Sequence, residues 1–307
     1  MMEKTIIVTG AAGFLGRNVS KYFSSMGWKV YGVGLGDWSY TSYSDWGLEK
    51  WVKTEVSLEV LNSLQIEPDV IVHCAGKGSV GFSVTNPEED YKANVDSLLP
   101  ALEFVRTKKL KTRIIYPSSA AVYGEKENKP INESDILSPI SPYGFHKKMA
   151  EELCYSYSTN FGLNISVIRF FSLYGIGLRK QLLWEACKKV DIEKGDKVQF
   201  FGTGKEVRDW LNIEDASRLI YELSKSRNTF EVVNGASGKA VRNEDIIQML
   251  IDSFGKKMSV EFNGMNRNGD PKNYWADISK ALALDWKPNI DLSEGINEYV
   301  KYYKSIK

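Results

Sequence analysis

The feature that most constrains this chain is a loop of spaced glycines near its start. Gly10, Gly13 and Gly16 follow an apolar run, Thr5–Val8, and open a helical pattern at Phe14. The first glycine permits a tight turn, the second lets a diphosphate approach the backbone, and the third lets helix and strand pack closely. The first helical turn also offers free N–H groups to phosphates. This context predicts a dinucleotide site, with a glycine-rich turn that binds no ligand as the alternative.

Short, continuously apolar runs alternate with helical patterns through residues 1–170, which is typical of parallel strands covered on both faces. Such alternation predicts an α/β fold with a doubly wound parallel sheet, a dinucleotide-binding Rossmann domain. The predicted strands are Thr5–Val8, Lys29–Val33, Trp51–Thr54, Asp69–His73, Arg113–Tyr116 and Ile165–Phe170, and the predicted helices are Phe14–Met26, Tyr91–Val105 and Tyr143–Asn160.

The pattern loosens in residues 171–307, where short apolar segments mix with helices. We expect a smaller α/β lobe there that mainly binds substrate, with some of its segments returning to the first domain. The predicted elements are the strands Val198–Phe201 and Glu231–Asn234 and helices near Glu214–Lys225, Asn243–Phe254 and Leu292–Tyr303. An aromatic segment, Asp37–Trp51, is too long for a tight turn; we expect a packed surface flap, with a partner contact as the alternative.

Composition excludes several classes of function. The formal net charge of +1 gives no bulk attraction to nucleic acid or to an anionic membrane. No window approaches the roughly 18 apolar residues that span a bilayer, and the N-terminus lacks a signal-peptide pattern. Cys74, Cys154 and Cys187 form neither a disulfide framework nor a metal motif. We therefore expect a cytoplasmic protein with free thiols and no metal site.

Two polar residues near the middle of the chain are candidates for proton chemistry. Tyr143 and Lys147 are four residues apart at the start of a predicted helix, so their side chains share a face. A nearby ammonium favours the phenolate and should lower the pKa of Tyr143 from about 10. Ser118 and Ser119 directly follow a predicted buried strand, at the sheet edge where ligands bind. Taken alone, these residues would indicate a solvated helix face and a serine turn.

The choice of dinucleotide is open from the residues alone. The acid that binds the adenosine ribose is expected at the end of the second strand, where this chain has Gly34. Asp37 lies three residues later and is the candidate substitute. No Arg or Lys stands at 34–36 to hold a 2′-phosphate, which favours NAD, although the missing acid leaves NADP open.

With the glycine loop, Ser119 and Tyr143-x-x-x-Lys147 in this order, the chain resembles the extended short-chain dehydrogenase/reductases, in particular their NAD-dependent nucleotide-sugar epimerase/dehydratase family. Further segments carry the resemblance: Val72–Gly76, Asn94-Val95, Ser119–Gly124, Arg208–Leu211 and Arg267–Pro271. It implies Ser119, Tyr143 and Lys147 as catalytic residues. The predicted cofactor contacts are Gly10, Gly13, Phe14, Leu15, Gly16, Asp37, Glu55, Val56, Ala75, Gly76, Asn94, Tyr143 and Lys147. The predicted substrate contacts are Lys77, Ser79, Ser119, Ser172, Arg208, Arg267 and Asp270.

The chain departs from the family pattern at several positions. Ser172 stands where the family often has a substrate-binding asparagine, and His146 stands where serine is common. We expect His146 to be structural or on the surface. Ala120 and Ala121 replace the Asp-Glu pair of the 4,6-dehydratases, so dehydration is disfavoured because no acid and base remain for eliminating water.

The resemblance favours an enzyme that epimerises a nucleotide-diphosphate sugar, at C4, through a keto intermediate with bound NAD. The alternatives are an NAD(P)H-dependent 4-keto-sugar reductase and a dinucleotide-binding sensor without chemistry. The resemblance also implies polysaccharide precursor synthesis and a homodimer, whose interface would pair the two long helices, including Met149, Leu153 and Tyr157, with their symmetry mates.

Overall fold

A seven-stranded parallel sheet with helices on both faces organises the chain. The computed structural model describes residues 3–38, 42–265 and 271–307. Its strands are β1 Thr5–Thr9, β2 Lys29–Gly34, β3 Leu48–Lys53, β4 Val70–His73, β5 Arg113–Ser119, β6 Asn164–Phe170, β7 Ser172–Tyr174, β8 Lys197–Phe200, β9 Val207–Arg208, β10 Trp210–Asn212, β11 Phe230–Gly235, β12 Val241–Arg242 and β13 Ser259–Phe262. Its helices are α1 Phe14–Ser25, α2 Leu58–Ser63, α3 Val80–Thr85, α4 Pro87–Asn94, α5 Leu99–Thr107, α6 Pro142–Phe161, α7 Gln181–Ile192, α8 Ile213–Leu223, α9 Asn243–Phe254, α10 Ser279–Leu282 and α11 Leu292–Ser305.

The strand order in the large sheet is β11-β6-β5-β4-β1-β2-β3, and every neighbouring pair is parallel. Successive residues of β1 serve different faces: Ile6 and Val8 enter one core, and Ile7 enters the other. This two-sided burial explains the continuously apolar strands. The predicted α/β fold is confirmed. The strand order reverses beside β1, which places a ligand-binding crevice at the carboxyl ends of β1 and β4.

Part of the second half of the chain returns to this sheet. β11 pairs with β6 as an edge strand, and α8 packs on α1, with the rings of Phe23 and Tyr221 5.4 Å apart. The remaining small strand pairs and helices α7, α9 and α11 enclose a second core. The division at residue 170 therefore stays a prediction. No helix in the described ranges is long and apolar enough to cross a membrane.

The prediction of one continuous helix over Tyr91–Val105 is wrong. α4 ends at Asn94, a 3₁₀ turn covers Asp96–Leu98, and α5 begins at Leu99. Pro100 explains the break, because it has no N–H to donate and its ring would clash with the carbonyl of Asp96 in a continuous helix.

The aromatic segment packs onto α1 as a flap. Trp38 and Trp46 are both buried, and each ring lies over the guanidinium of Arg17, at 5.5 Å and 5.1 Å. Trp38 also meets Trp51 edge to face. Tyr40, in the same segment, lies outside the described residues. The predicted packed flap is thus confirmed for its tryptophans.

Candidate active site

The glycine loop between β1 and α1 has the shape that a diphosphate requires. Gly10 has φ +63°, and a Cβ there would lie 2.6 Å from the carbonyl oxygen of Cys74. A Cβ at Gly16 would press on the carbonyl of Gly10, so the helix and the strand approach as closely as predicted. Gly13 precedes α1 without a side-chain cap, and the first turn, which Phe14 and Leu15 open, carries no acid. The N–H groups of this first helical turn are therefore suited to an anionic ligand.

The adenosine side of the crevice is shaped by Gly34. A Cβ at this position would lie 3.2 Å from Cα of Gly10 and 3.2 Å from the Trp51 ring, so a side chain here would require these neighbours to shift slightly. Asp37, the predicted substitute, is exposed and forms an ion pair with Lys53. Glu55 is exposed, and Val56 packs under the sheet. Asp37 and Glu55 therefore follow neighbouring strands at the carboxyl edge of the sheet. The ion pair with Lys53 gives Asp37 no feature that points to ribose binding.

The turn after β4 closes the other side of the crevice. The Ala75 N–H donates to Oγ1 of Thr9 at 3.2 Å, which ties this turn to β1. Gly76 has φ +147°, and Nδ2 of Asn94 donates to the carbonyl of Lys77 at 3.1 Å. Oδ1 of Asn94 is buried and has no hydrogen-bond partner among the described residues. Asn94 thus holds the turn in place, as its predicted proximity to the cofactor requires.

Ser119 and Tyr143 meet above the end of the sheet. Ser119 is the last residue of β5, and Tyr143 lies in the first turn of α6, whose N-cap Ser141 accepts a hydrogen bond from Gly144 N at 3.2 Å. The hydroxyl of Ser119 lies near the Tyr143 phenol and acts to lower the pKa of that phenol. A Cβ at Gly78 would lie 4.0 Å from the Tyr143 hydroxyl. Gly78, on the turn after β4, therefore lies beside the phenol.

Ser118 and Ser119 have different surroundings, which separates their roles. Ser118 is buried and donates to Oε1 of Glu151 at 2.5 Å. Glu151 in turn accepts two guanidinium hydrogen bonds at Oε2 from Arg169, at 3.1 Å and 2.7 Å. Through its hydrogen bond with Ser118, this buried ion pair holds the end of β5 against α6. Ser119, rather than Ser118, is therefore the serine on the Tyr143 side, and its catalytic role stays a prediction.

Lys147 lies one turn after Tyr143 but contacts β5. Its Nζ donates to the carbonyl of Pro117 at 2.9 Å and to the hydroxyl of Tyr116 at 3.2 Å. The side chain is 7% exposed, and burial lowers the pKa of Lys147 to about 8, partly opposed by Cys74. A neutral amine is thus accessible just above physiological pH.

The expectation that Lys147 lowers the pKa of Tyr143 is wrong for this structure. Burial raises the pKa of Tyr143 to about 12; the neighbouring Ser119 side chain opposes this, and the charge of Asp90 adds to it. The physical reason is that desolvation of the half-buried Tyr143 side chain disfavours the phenolate by more than Ser119 favours it. The chain alone therefore presents Tyr143 as a protonated phenol.

The predicted substrate residues lie on both sides of the crevice. Lys77 forms an ion pair with Glu89 at 3.2 Å, and Ser79 caps α3 by accepting from Phe82 N at 3.2 Å. Ser172 is half-buried at the start of β7. Arg267 and Asp270 lie outside the described residues.

A row of aromatic rings in contact with one another runs from the turn after Ser119 to Arg208. The ring of Tyr123 lies 6.3 Å from Phe171, and the ring of Phe171 lies 6.2 Å from Tyr274. The guanidinium of Arg208 lies 5.8 Å from the centre of the Tyr274 ring. The neighbouring Asp209 accepts from three backbone N–H groups, those of Ser237, Gly238 and Ala276. Asp209 thus fixes the backbone next to Arg208.

Sequence reasoning missed residues that only tertiary structure brings to the site. Gln181 has φ +67°, and its Nε2 donates to the carbonyl of Gly78 at 3.3 Å, so it bridges the two sides of the crevice. A pocket of about 220 Å³ beside the glycine loop is lined by Ala12, Phe14, Arg17, Gly177, Arg179 and Lys180. Its cations come from sequence-distant segments, and no local pattern signals their meeting.

The sequence profile of the NAD dependent epimerase/dehydratase family matches residues 6–234. A UDP-glucuronate 4-epimerase of Thermodesulfobacterium geofontis is 31% identical over 97% of this chain and 95% of its own length. YtcB of Bacillus subtilis, an uncharacterized UDP-glucose epimerase, is 30% identical over 98% of both chains.

Solved structures are similar over the same extent. A UDP-glucuronic acid 4-epimerase from Bacillus cereus, in complex with UDP-glucuronic acid and NAD, superposes with a TM-score of 0.87 at 28% identity over 99% of this chain and all of that one. A UDP-glucose 4-epimerase from Thermotoga maritima with UDP-glucose gives a TM-score of 0.88 at 25% identity over 98% and 99%. With its glycine loop and its Ser119, Tyr143 and Lys147 site, the chain belongs to the NAD dependent epimerase/dehydratase family, which confirms the family resemblance of the sequence motifs.

Proposed function

We propose that the chain is an NAD-dependent UDP-sugar 4-epimerase that acts through a 4-keto intermediate. The observation that carries the proposal is that Ser119, at the end of β5, and Tyr143 and Lys147, in the first two turns of α6, lie together at the same sheet edge as the glycine loop. Full-length relatives named as UDP-glucuronate and UDP-glucose 4-epimerases support it, as do similar structures with NAD and UDP-sugars.

The chain's residues divide the work as follows. The N–H groups at the start of α1 bind the diphosphate of the dinucleotide, and Arg208 binds that of the substrate. Ser119 hydrogen-bonds the sugar oxygen, and Tyr143 takes the C4 hydroxyl proton and later returns it. Lys147, a predicted cofactor contact, holds its ammonium against the carbonyl of Pro117, one helical turn from the phenol. Oxidised nicotinamide, when bound, supplies a hydride acceptor and a positive charge that favours the phenolate.

Dehydration does not fit the site. Ala120 and Ala121 follow Ser119 in a 3₁₀ turn, and the buried Ala120 offers no group for proton transfer. Elimination of water across the sugar would require an acid and a base there. The site therefore supports reversible oxidation at one carbon, which is what epimerisation requires.

We also propose that the chain forms a homodimer through α4, α5 and α6. A groove of about 410 Å³ between these helices is lined by Tyr91, Val95, Asp96, Leu99, Met149, Glu152, Leu153 and Ser156. Leu99 and Met149 are each more than 40% exposed on it. Apolar residues that face solvent on neighbouring helices favour pairing with a symmetry mate.

The cytoplasmic location also remains a proposal. Cys74, Cys154 and Cys187 are all free thiols, and two of them are buried. Unpaired cysteines are typical of a reducing compartment.

The direct test is to purify the protein, identify any retained dinucleotide by mass spectrometry, and follow UDP-glucuronate and UDP-glucose by proton NMR. An epimerase converts one of them to its C4 epimer without added dinucleotide. Consumption of NADH or NADPH in proportion to a 4-keto sugar would instead establish the reductase. Dinucleotide binding with no turnover of any UDP-sugar would favour the sensor.

A further inference from the structure

A buried carboxylate lies behind the proton-transfer residues. Asp90, on α4, has no exposed surface, and its Oδ2 lies 2.7 Å from Nδ1 of His146. A carboxylate only accepts hydrogen bonds, so Nδ1 carries the proton and donates it. Oδ1 of Asp90 is buried and has no hydrogen-bond partner among the residues described. Asp90 is therefore held chiefly by the imidazole of His146.

This pair is placed to act on both proton-transfer residues. His146 stands between Tyr143 and Lys147 on α6, and α4 packs directly against α6. The charge of Asp90 raises the pKa of Tyr143 and opposes the fall in the pKa of Lys147. Asp90 acts to raise both pKa values, because a nearby negative charge disfavours the phenolate and favours the ammonium.

Several other ionisable groups lie on the elements that surround Asp90 and His146. α3, which packs against both helices, carries no ionisable side chain. The Tyr91 ring lies 5.6 Å from that of His146, edge to face. The remaining groups are Glu89 with Lys77 at the surface, Asp96 after α4, Glu151 and Cys154 on α6, Tyr116 on β5, and His73 and Cys74 at the end of β4.

We propose that Asp90 and His146 are positioning residues: His146 fixes the buried Asp90 carboxylate, whose negative charge sets the pH range in which Tyr143 and Lys147 hold the protonation states needed for proton transfer. The inference rests on the proposed function for the roles of Tyr143 and Lys147. It gives a reason for histidine at position 146, where the family commonly has serine.

The sign of the effect follows for each substitution. Asp90→Asn removes the charge and keeps the shape, so both the acid and the alkaline limbs of the kcat/KM profile move to lower pH. His146→Asn keeps a donor for Asp90 and leaves the limbs near their wild-type positions. His146→Leu removes the donor, and burial without a partner disfavours the carboxylate charge, so the limbs move in the same direction as in Asp90→Asn. Glu88→Gln removes an exposed charge from the same helix and is the matched control.

The first experiment measures the pH dependence of kcat/KM for UDP-sugar turnover in these variants. We expect a downward shift of about 0.5–1 pH unit in Asp90→Asn and His146→Leu, and none in Glu88→Gln. A purely structural role would lower kcat/KM at every pH and leave the limbs in place, which would overturn the proposal.

The second experiment does not depend on turnover or on a cofactor. In ¹⁵N-lysine-labelled protein, Lys147 should titrate near pH 8, and Lys147→Gln assigns its signal. The chain has two histidines, so a downfield Nδ1–H resonance of His146 reports its bond to Asp90. We expect Asp90→Asn to lower the Lys147 midpoint by about 0.5 pH unit. We also expect it to move the histidine resonance upfield, because an amide oxygen accepts the Nδ1–H more weakly than a carboxylate does. An unchanged midpoint would overturn the inference, whereas full activity of Tyr143→Phe would overturn the proposed function instead.

Discussion

The Ser119 hydroxyl favours the phenolate of Tyr143 although the two residues come from the ends of different elements, the last residue of β5 and the first turn of α6. The docking of α6 brings the two hydroxyls to the carboxyl edge of the parallel sheet. One substrate oxygen placed between them can receive a hydrogen bond from Ser119 while its proton passes to Tyr143. The site thus depends on how α6 docks on the sheet, and several predictions test that docking and its consequences.

The pH dependence should show the titration of Lys147. Burial lowers its pKa from 10.5 to about 8, so its positive charge is present below that pH and is lost above it. Because Lys147 is a predicted contact of the cofactor, we expect the loss of its charge to lower kcat/KM as the pH rises through about 8. Lys147→Met should lower activity and abolish this limb. Lys148→Met, at the neighbouring and half-buried position, should keep the wild-type profile; loss of the limb in Lys148→Met as well would contradict the assignment.

The glycine loop should tolerate no side chain at its first position. Gly10→Ala adds a Cβ at positive φ against the carbonyl of Cys74, whereas Gly27→Ala also has positive φ (+79°) but meets no atom within 4 Å. We expect Gly27→Ala to cost about 1–2 kcal/mol of unfolding free energy from its backbone strain alone. Gly10→Ala should cost more and prevent NAD binding, as measured by calorimetry. Tight NAD binding by Gly10→Ala would show that the loop does not hold the diphosphate.

A charge placed in the groove between α4, α5 and α6 tests whether the protein forms the proposed homodimer. Met149→Glu places a charge among apolar residues of this groove, and burying an unpaired charge is costly. We expect the wild-type protein to have a dimeric mass by light scattering and Met149→Glu a monomeric one. Ile192→Glu, an exposed position on α7, is the control and should remain dimeric. A monomeric wild type at micromolar concentration would refute the dimer.

Features set by local pattern could be predicted from the sequence. The strands β1, β2, β4 and β6 are continuous apolar runs because both of their faces are buried, and their bounds agree with prediction within about one residue. The glycine loop and the Tyr143–Lys147 spacing are also local. The break at Pro100 was readable in principle, since proline at this position ends the helix before it.

Features set by tertiary contacts could not be predicted in this way. β11 joins the large sheet although α7 to α8 intervene after β7, and no pattern within the strand records its neighbour. The high pKa of Tyr143 arises from burial and from Asp90 on another helix, which the spacing to Lys147 does not reveal. For the same reason, the contact of Gln181 with Gly78 was missed.

The central claim, that Tyr143 transfers the proton, is tested most directly by comparing Tyr143→Phe with Tyr155→Phe. Tyr155 lies on the same helix and is exposed outside the site, so its substitution controls for the loss of a hydroxyl. With UDP-sugar turnover followed by NMR, we predict a loss of about 10²–10⁴-fold in kcat for Tyr143→Phe, with NAD binding retained, and a wild-type kcat for Tyr155→Phe. A Tyr143→Phe variant that turns over at the wild-type rate would contradict the account.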